Sequence, residues 1–172
     1  MIGGSRCSSP PPTKKPTMSA PRHREVGSAI LIDTLGRFLF QQRDDIPGIL
    51  HPGKIGLFGG HRESGESYLQ CVVREVLEET TYYVPPGDFA HLATYDDVDD
   101  DGGTVHGEFF VTGDIPIDRL VITEGALLIV KLEDISSIQS RFSPSARFAV
   151  QAFLHSKNRF RSFSKGSFAS LR

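Results

Sequence analysis

The feature that most constrains this chain is an acidic, helix-forming segment at residues 67–80. Ser67 is followed three residues later by Gln70, a capping-box pattern that starts a helix. Apolar or small side chains then recur at helical spacing, which predicts a buried stripe: Leu69, Val72, Val73, Val76 and Thr80. The segment is therefore expected to pack as an amphipathic helix against an apolar layer of the fold.

Three glutamates near the end of this helix are expected to form one exposed acidic face. Glu75, Glu78 and Glu79 stand at positions i, i+3 and i+4, which lie side by side on a helix. Each like-charged pair costs an isolated helix roughly 0.2–0.5 kcal/mol, and the helix dipole disfavours anions at this end. Bound hard cations would reverse that cost because Mg²⁺ prefers carboxylate oxygens. The helix alone leaves open a metal site or a solvated face partly neutralised by Arg74.

The spacing of residues 60–82 resembles the Nudix box, written G-x5-E-x7-R-E-U-x-E-E-x-G-U with U a bulky apolar residue. Thr81 stands where the family has Gly, and Tyr82 fills the last bulky position only loosely. A left-handed residue at this helix end costs a β-branched side chain about 1 kcal/mol or more, so a strained or shifted end is expected. The matching positions are Gly60, Glu66, Arg74, Glu75, Glu78 and Glu79.

The resemblance spans roughly residues 25–154 and carries expectations about fold and activity. It implies an α+β fold, a Nudix-type α/β/α sandwich with a mixed β-sheet. It also implies metal-dependent hydrolysis of a nucleoside diphosphate linked to another moiety X, giving a nucleoside monophosphate and phosphorylated X. The alternative is a non-catalytic nucleotide-binding sensor or regulator of the same fold, and the intact box argues against it.

The resemblance also implies roles for individual residues. Mg²⁺ or Mn²⁺ would be bound by three carboxylates and one backbone carbonyl, those of Glu75, Glu78, Glu79 and Gly60. Arg74 would orient the carboxylates and pair with Glu66. The catalytic group is expected to comprise Glu78, Glu79, Arg74 and Glu124, and substrate binding is assigned to Arg43 and Glu66.

Two of these assignments have open alternatives. The family often places one more carboxylate outside the box, as a ligand or general base. Glu124 in ITEG is the preferred candidate and Glu108 in HGEFFV is the other. Arg43 could contact a substrate phosphate or form a surface ion pair with Asp44 or Asp45.

Strand-like segments surround the box in the rest of the chain. Residues 26–32 and 37–42 predict a β-hairpin, and Pro and Gly predict a loop at 44–54. Residues 97–108 match the calcium-loop expression of EF-hands, but their flanks look like strands, so an acidic hairpin turn is predicted. Further strands are expected at 55–58, 89–95, 105–112, 120–123 and 126–132, and an amphipathic helix at 143–155.

Charge and composition divide the chain into three parts. Residues 1–24, rich in Pro and Ser, and 155–172, which contain Ser and Phe, each carry +5, so the net charge of −2 leaves −12 for 25–154. A flexible basic leader is predicted at 1–24, the catalytic domain at 25–155 and a basic tail at 156–172.

Cysteine usage and hydropathy give expectations about location and partners. Cys7 and Cys71 make no disulfide framework, which favours a reducing cytoplasm, and Cys71 is expected to be a buried small residue. No apolar run approaches the roughly 18 residues of a membrane span. A small-molecule nucleotide substrate is expected, with no membrane or specific nucleic-acid partner and with a possible homodimer.

Overall fold

A computed structural model of the protein describes residues 23–98 and 103–156. Its strands and helices, in chain order, are β1 His23–Asp33, β2 Phe38–Gln42, β3 Ile55–Gly56, β4 Phe58–His61, α1 Tyr68–Thr80, β5 Ala90–Val98, β6 Thr104–Ile115, β7 Ala126–Val130, α2 Ile135–Ile138 and α3 Pro144–Ser156. Most of the expected leader and tail lies outside the described residues. His23 and Arg24, assigned to the leader, are the first residues of β1, and Ser156, assigned to the tail, ends α3.

The strands form one mixed sheet, which confirms the expected α+β class. Its main path runs β3-β2-β1-β6-β5, while β4 also pairs with β1 and β7 with β2. The long central strands β1 and β6 run parallel, from His23 opposite Thr104 to Asp33 opposite Ile115. The other pairings are antiparallel, including the predicted β1–β2 hairpin.

Each face of the sheet is covered by an apolar layer. Consecutive strand residues point to opposite faces, so Phe109 packs on the α3 side and Phe110 on the α1 side. The α3 side also contains Ile30, Phe40, Phe142, Val150 and Phe153. The α1 side also contains Leu31, Phe58, Val72, Val76 and Val84. The result is a layered arrangement with the box helix on one face and α3 on the other.

The start of α1 agrees with the capping pattern. Ser67 precedes the helix, its hydroxyl accepts from the Gln70 backbone N–H at 3.2 Å, and the Gln70 side chain accepts from the Ser67 N–H at 2.8 Å. Cys71 is fully buried, as predicted, and burial raises the pKa of its thiol to about 11. α1 and α3 have 13 residues each. Across the described ranges no helix is long and apolar enough to cross a membrane.

The single strand predicted at 55–58 is divided between two short strands, β3 and β4, which pair with different neighbouring strands. β3 pairs with β2, whereas β4 pairs with β1 and continues through two glycines to His61. Gly59 has φ +143°, a backbone conformation that L side chains rarely adopt. A Cβ at Gly59 would collide with the Gly27 carbonyl and the Ser28 backbone. The glycines therefore lie inside β4 rather than after it.

The prediction of a strand at 120–123 is wrong, because this segment forms hydrogen bonds with the end of α1 instead of with a neighbouring strand. Val121 N–H donates to the Thr80 carbonyl and Thr123 N–H to the Glu79 carbonyl, both at 3.0 Å. The Thr123 hydroxyl donates to the Glu78 carbonyl at 2.7 Å. These contacts satisfy carbonyls that a helix end leaves without partners.

The acidic segment after β5 joins two antiparallel strands. Val98 in β5 pairs with Thr104 in β6, and residues 99–102 lie outside the described range. An EF-hand requires a helix on each side of its loop. Since both flanks are strands, the calcium-loop interpretation of residues 97–108 is excluded.

Thr81 ends α1 at the expected position, and its backbone is left-handed, with φ 54° and ψ 13°. We expect Thr81→Gly to raise the free energy of unfolding by about 1 kcal/mol, because glycine carries no Cβ penalty in this region. Thr81→Asn should give a smaller gain. Urea unfolding midpoints at unchanged m-value would measure the effect.

The matched control for this substitution is Thr34→Gly, in an exposed turn where the threonine is not among the residues with positive φ. There the added freedom of the unfolded chain should lower stability. A loss of stability in Thr81→Gly equal to that in Thr34→Gly would show that the left-handed backbone carries no strain.

Candidate active site

A cavity of about 590 Å³ opens between the end of α1, β4 and the loop before β7. Carboxylates, arginines and a glycine that are far apart in the sequence meet on its wall. They include Arg43, Gly60, Arg74, Glu75, Glu79 and Glu124. His51 and His61 are both exposed and also line it.

Glu75 lies directly against Gly60. A Cβ at Gly60 would overlap the Glu75 carboxylate, so glycine allows that side chain its present position. The Gly60 carbonyl accepts a hydrogen bond from the Cys71 thiol at 3.6 Å. Two residues that the sequence analysis assigned to metal binding, one through its side chain and one through its backbone, are thus neighbours.

Glu79 is buried, which corrects the expectation of three carboxylates on an exposed face. The residue is only 7% exposed. One carboxylate oxygen accepts from Gln41 Nε2 at 2.9 Å and the other from the Gly59 backbone N–H at 2.8 Å. Burial raises the pKa of Glu79 to about 7, although both hydrogen bonds oppose the shift. The carboxylate therefore enters the cavity from inside the fold.

Glu78 differs from the other two helix carboxylates. Its side chain is 59% exposed, compared with 17% for Glu75. It contacts Arg74 Nη1 at 3.2 Å. The three glutamates thus lie along a gradient from solvent to core.

Arg74 connects the box carboxylates to one another. It forms two hydrogen bonds with Glu66, at 2.9 Å and 3.0 Å, and one with Glu75 at 2.8 Å. A further bond reaches the His61 carbonyl at 3.1 Å. The paired guanidinium lowers the pKa of Glu66, and the carboxylates raise the pKa of Arg74. Both Glu66 oxygens face Arg74, so the geometry favours a role in holding Arg74 over direct contact with substrate.

The two candidate carboxylates outside the box lie in different surroundings. Glu124 follows the segment that bonds to the end of α1, and it lines the cavity. Glu108 lies on the β5–β6 surface, where it contacts His91 at 2.5 Å and the Thr94 hydroxyl at 3.0 Å. Only Glu124 shares the cavity with Glu75 and Glu79.

Arg43 lines the cavity just beyond the end of β2. Its Nε donates to the Leu50 carbonyl at 2.8 Å and its Nη1 to Gln41 Oε1 at 3.5 Å. The guanidinium is thus held by β2 and the following loop rather than by Asp44 or Asp45. No sequence pattern singled out Gln41 as a site residue. The available signal was a glutamine within the otherwise apolar start of β2, FLFQ.

The donor set fits a hard divalent cation. Carboxylate and carbonyl oxygens are the ligands that Mg²⁺ and Mn²⁺ accept, and Glu75, Glu79, Glu124 and Gly60 share one cavity wall. In residues 23–98 and 103–156 no three ligating side chains converge into a ready-made ion site. The fit therefore rests on the chemistry of the donors and on the glycine that admits Glu75.

Comparison with known proteins identifies the family and the fold. The family model described as the NUDIX domain matches residues 21–127. Among solved structures, the chain is similar to the MutT protein from Methanosarcina mazei Go1, with 24% identity and a TM-score of 0.69 over 80% of this chain and 96% of that one.

Two further solved structures share the fold. The ORF135 protein of E. coli is 21% identical with a TM-score of 0.65, covering 83% of this chain and 96% of that one. A bifunctional NMN adenylyltransferase/ADP ribose pyrophosphatase from Francisella tularensis, complexed with AMP and a manganese ion, is 20% identical with a TM-score of 0.61. That match covers 84% of this chain and 43% of the other.

The raised pKa of Glu79 predicts how stability depends on pH in metal-free protein. The folded state holds the proton up to about pH 7, whereas the unfolded state releases it near 4.5. The stabilisation is therefore present below the unfolded pKa and is lost as pH rises through about 7. Between pH 5 and pH 8, wild type should lose about 2–3 kcal/mol of unfolding free energy relative to Glu79→Gln.

Chemical denaturation of both proteins in EDTA at the two pH values would measure this difference. Glu108→Gln is the control, since that carboxylate lies outside the cavity. Parallel stability profiles for wild type and Glu79→Gln would show that Glu79 is ionised normally.

Proposed function

The chain belongs to the Nudix family of hydrolases acting on phosphoanhydrides, and on that basis we propose that it cleaves a nucleoside diphosphate linked to another moiety X. The products are a nucleoside monophosphate and phosphorylated X. The observation that carries this proposal is the cavity that Glu75, Glu79 and Glu124 line together with Arg43. It offers oxygen donors for cations and a guanidinium for phosphate within one open cavity.

The required cation is proposed to be Mg²⁺ or Mn²⁺, bound by Glu75, Glu78, Glu79 and the Gly60 carbonyl. The manganese ion and AMP in the similar Francisella protein support this choice. When bound, such cations neutralise the diphosphate and make a water molecule more acidic. Without them, the negative charge of these carboxylates would repel a polyphosphate.

The chain's own residues supply orientation and proton transfer. Arg74 holds Glu75 at 2.8 Å and is itself held by Glu66, so the carboxylate positions are set before substrate arrives. Glu124 is proposed as the general base that takes a proton from the attacking water. Arg43 is proposed to bind a substrate phosphate, because a guanidinium suits phosphate oxygens and its Nε is fixed on Leu50.

The setting of the enzyme is also a proposal. A small-molecule substrate suits a cavity of about 590 Å³, which lies within the usual range for such sites. A cytoplasmic location is proposed because Cys71 is a free, buried thiol, as is usual in reducing compartments.

Metal-dependent product release by matched variants would test the reaction. We expect wild type with Mg²⁺ or Mn²⁺ to release nucleoside monophosphate from at least one member of a panel of nucleoside diphosphate derivatives. Glu78→Gln and Glu124→Gln should lower kcat by about 10²–10⁴-fold, as expected on losing a charged ligand or a general base. Chromatographic identification of both products would define X.

Glu108→Gln is the control, because it removes a carboxylate from the same domain but outside the cavity. It should retain wild-type kcat. Loss of activity in Glu108→Gln with full activity in Glu124→Gln would reverse the assignment of the base. Nucleotide binding without turnover by folded wild-type protein would instead favour a sensor.

Replacing Arg43 tests phosphate binding separately from chemistry. Arg43→Met should raise KM by about 10–100-fold, the value of a hydrogen bond to a charged group, with a smaller change in kcat. Arg147→Met, an exposed position on α3 that does not line the cavity, is the control. An unchanged KM in Arg43→Met would exclude this arginine from substrate binding.

A further inference from the structure

Gln41 is a polar side chain enclosed by the fold, and its role is not explained by the box. It lies in β2 and is 1% exposed. Burial of an amide without partners costs free energy of the order of 1–3 kcal/mol in proteins. A methionine or leucine would fill the same space without that cost. The retained amide therefore points to the groups that it contacts.

The Gln41 amide contacts three parts of the candidate active site. Its Nε2 donates to Glu79 Oε1 at 2.9 Å and to the Glu124 backbone carbonyl at 3.3 Å. Its Oε1 faces Arg43 Nη1 at 3.5 Å. The orientation of the amide is determined chemically, since a flipped amide would turn its oxygen towards a carboxylate and a carbonyl.

The contact with Glu79 is the one with a direct consequence for cation binding. Of the two oxygens of that carboxylate, one is held by the backbone N–H of Gly59 and the other by the Gln41 side chain. A carboxylate with a single hydrogen bond can rotate about its last torsion. With hydrogen bonds to both oxygens, the Glu79 carboxylate cannot rotate freely, so the oxygen lone pairs that are left for a cation point in a fixed direction.

We propose that Gln41 is a positioning residue that holds Glu79 in its cation-binding orientation and links it to Arg43 and to the Glu124 loop. The inference rests on the proposed function, because it takes Glu79 as a ligand. Gln41 itself contacts neither cation nor substrate. Its effect passes through Glu79, as does that of the hydrogen-bonding partners of metal ligands in general.

Replacement by an isosteric apolar residue tests this role. Gln41→Met keeps the volume of the side chain and removes its donor, so the Kd for Mn²⁺ should rise by about 10–100-fold. Binding would be measured by electron paramagnetic resonance of free Mn²⁺ titrated with the full chain, with no substrate present. A residue that only fills space would leave the Kd unchanged.

The neighbouring glutamine provides the matched control. Gln42 bonds the Gly53 carbonyl and Arg141, both at 2.9 Å, away from the carboxylates. Gln42→Met should therefore keep the wild-type Kd for Mn²⁺. If Gln41→Met fails to fold, Gln41→Asn keeps an amide but shortens the side chain by one methylene, which draws its donor away from Glu79. It should also weaken Mn²⁺ binding.

A double-mutant cycle establishes whether Glu79 carries the effect. In a Glu79→Gln background, Gln41→Met should change the Kd by less than twofold. An equal loss in both backgrounds would overturn the inference, as would a wild-type Kd in Gln41→Met. Wild-type protein with no affinity for Mn²⁺ would overturn the proposed function together with this inference, whereas the other two outcomes would leave the proposed function standing.

Discussion

The close approach of α1 to β4 determines the geometry of the whole site. Glycines at positions 59 and 60 allow it, because a Cβ at either would collide with the neighbouring strand or with Glu75. At this distance the Gly59 N–H reaches Glu79, and the Cys71 thiol reaches the Gly60 carbonyl. If α1 lay further from β4, the Glu75 and Glu79 carboxylates would lose these contacts and be hydrated by solvent. Water would then compete with them for any cation.

The end of α1 places the remaining carboxylate. Helix ends leave carbonyls without partners, and here the segment before β7 supplies donors to Glu78, Glu79 and Thr80. The same bonds bring Glu124 to the cavity. The Gln41 side chain also holds this segment, because its Nε2 donates to the Glu124 carbonyl. The stability of the helix end and the position of the proposed base therefore depend on one set of hydrogen bonds.

Two opposing electrostatic effects act on the carboxylates of the site: burial disfavours their charged forms, and ion pairing with Arg74 favours them. Glu75, Glu79 and Glu124 would repel one another, and desolvation already raises the pKa of Glu79. Arg74 offsets part of the repulsion by bonding Glu66, Glu75 and Glu78 together. A cation bound among these carboxylates would compete with the proton on Glu79, so its affinity is expected to fall as pH decreases.

The amino-acid sequence by itself determined the features that depend on local spacing. The capping box set the start of α1, the helical period set its buried stripe, and the box spacing pointed to the family, whose resemblance implied the Arg74–Glu66 pair. Only the tertiary structure decided that Glu79 is buried, that Glu124 rather than Glu108 shares the cavity, that residues 120–123 bond to a helix end, and that Gln41 faces Glu79. These features depend on contacts between residues about 20–80 positions apart. A periodic pattern specifies which side of one element is apolar, but not which polar group of another element will meet it.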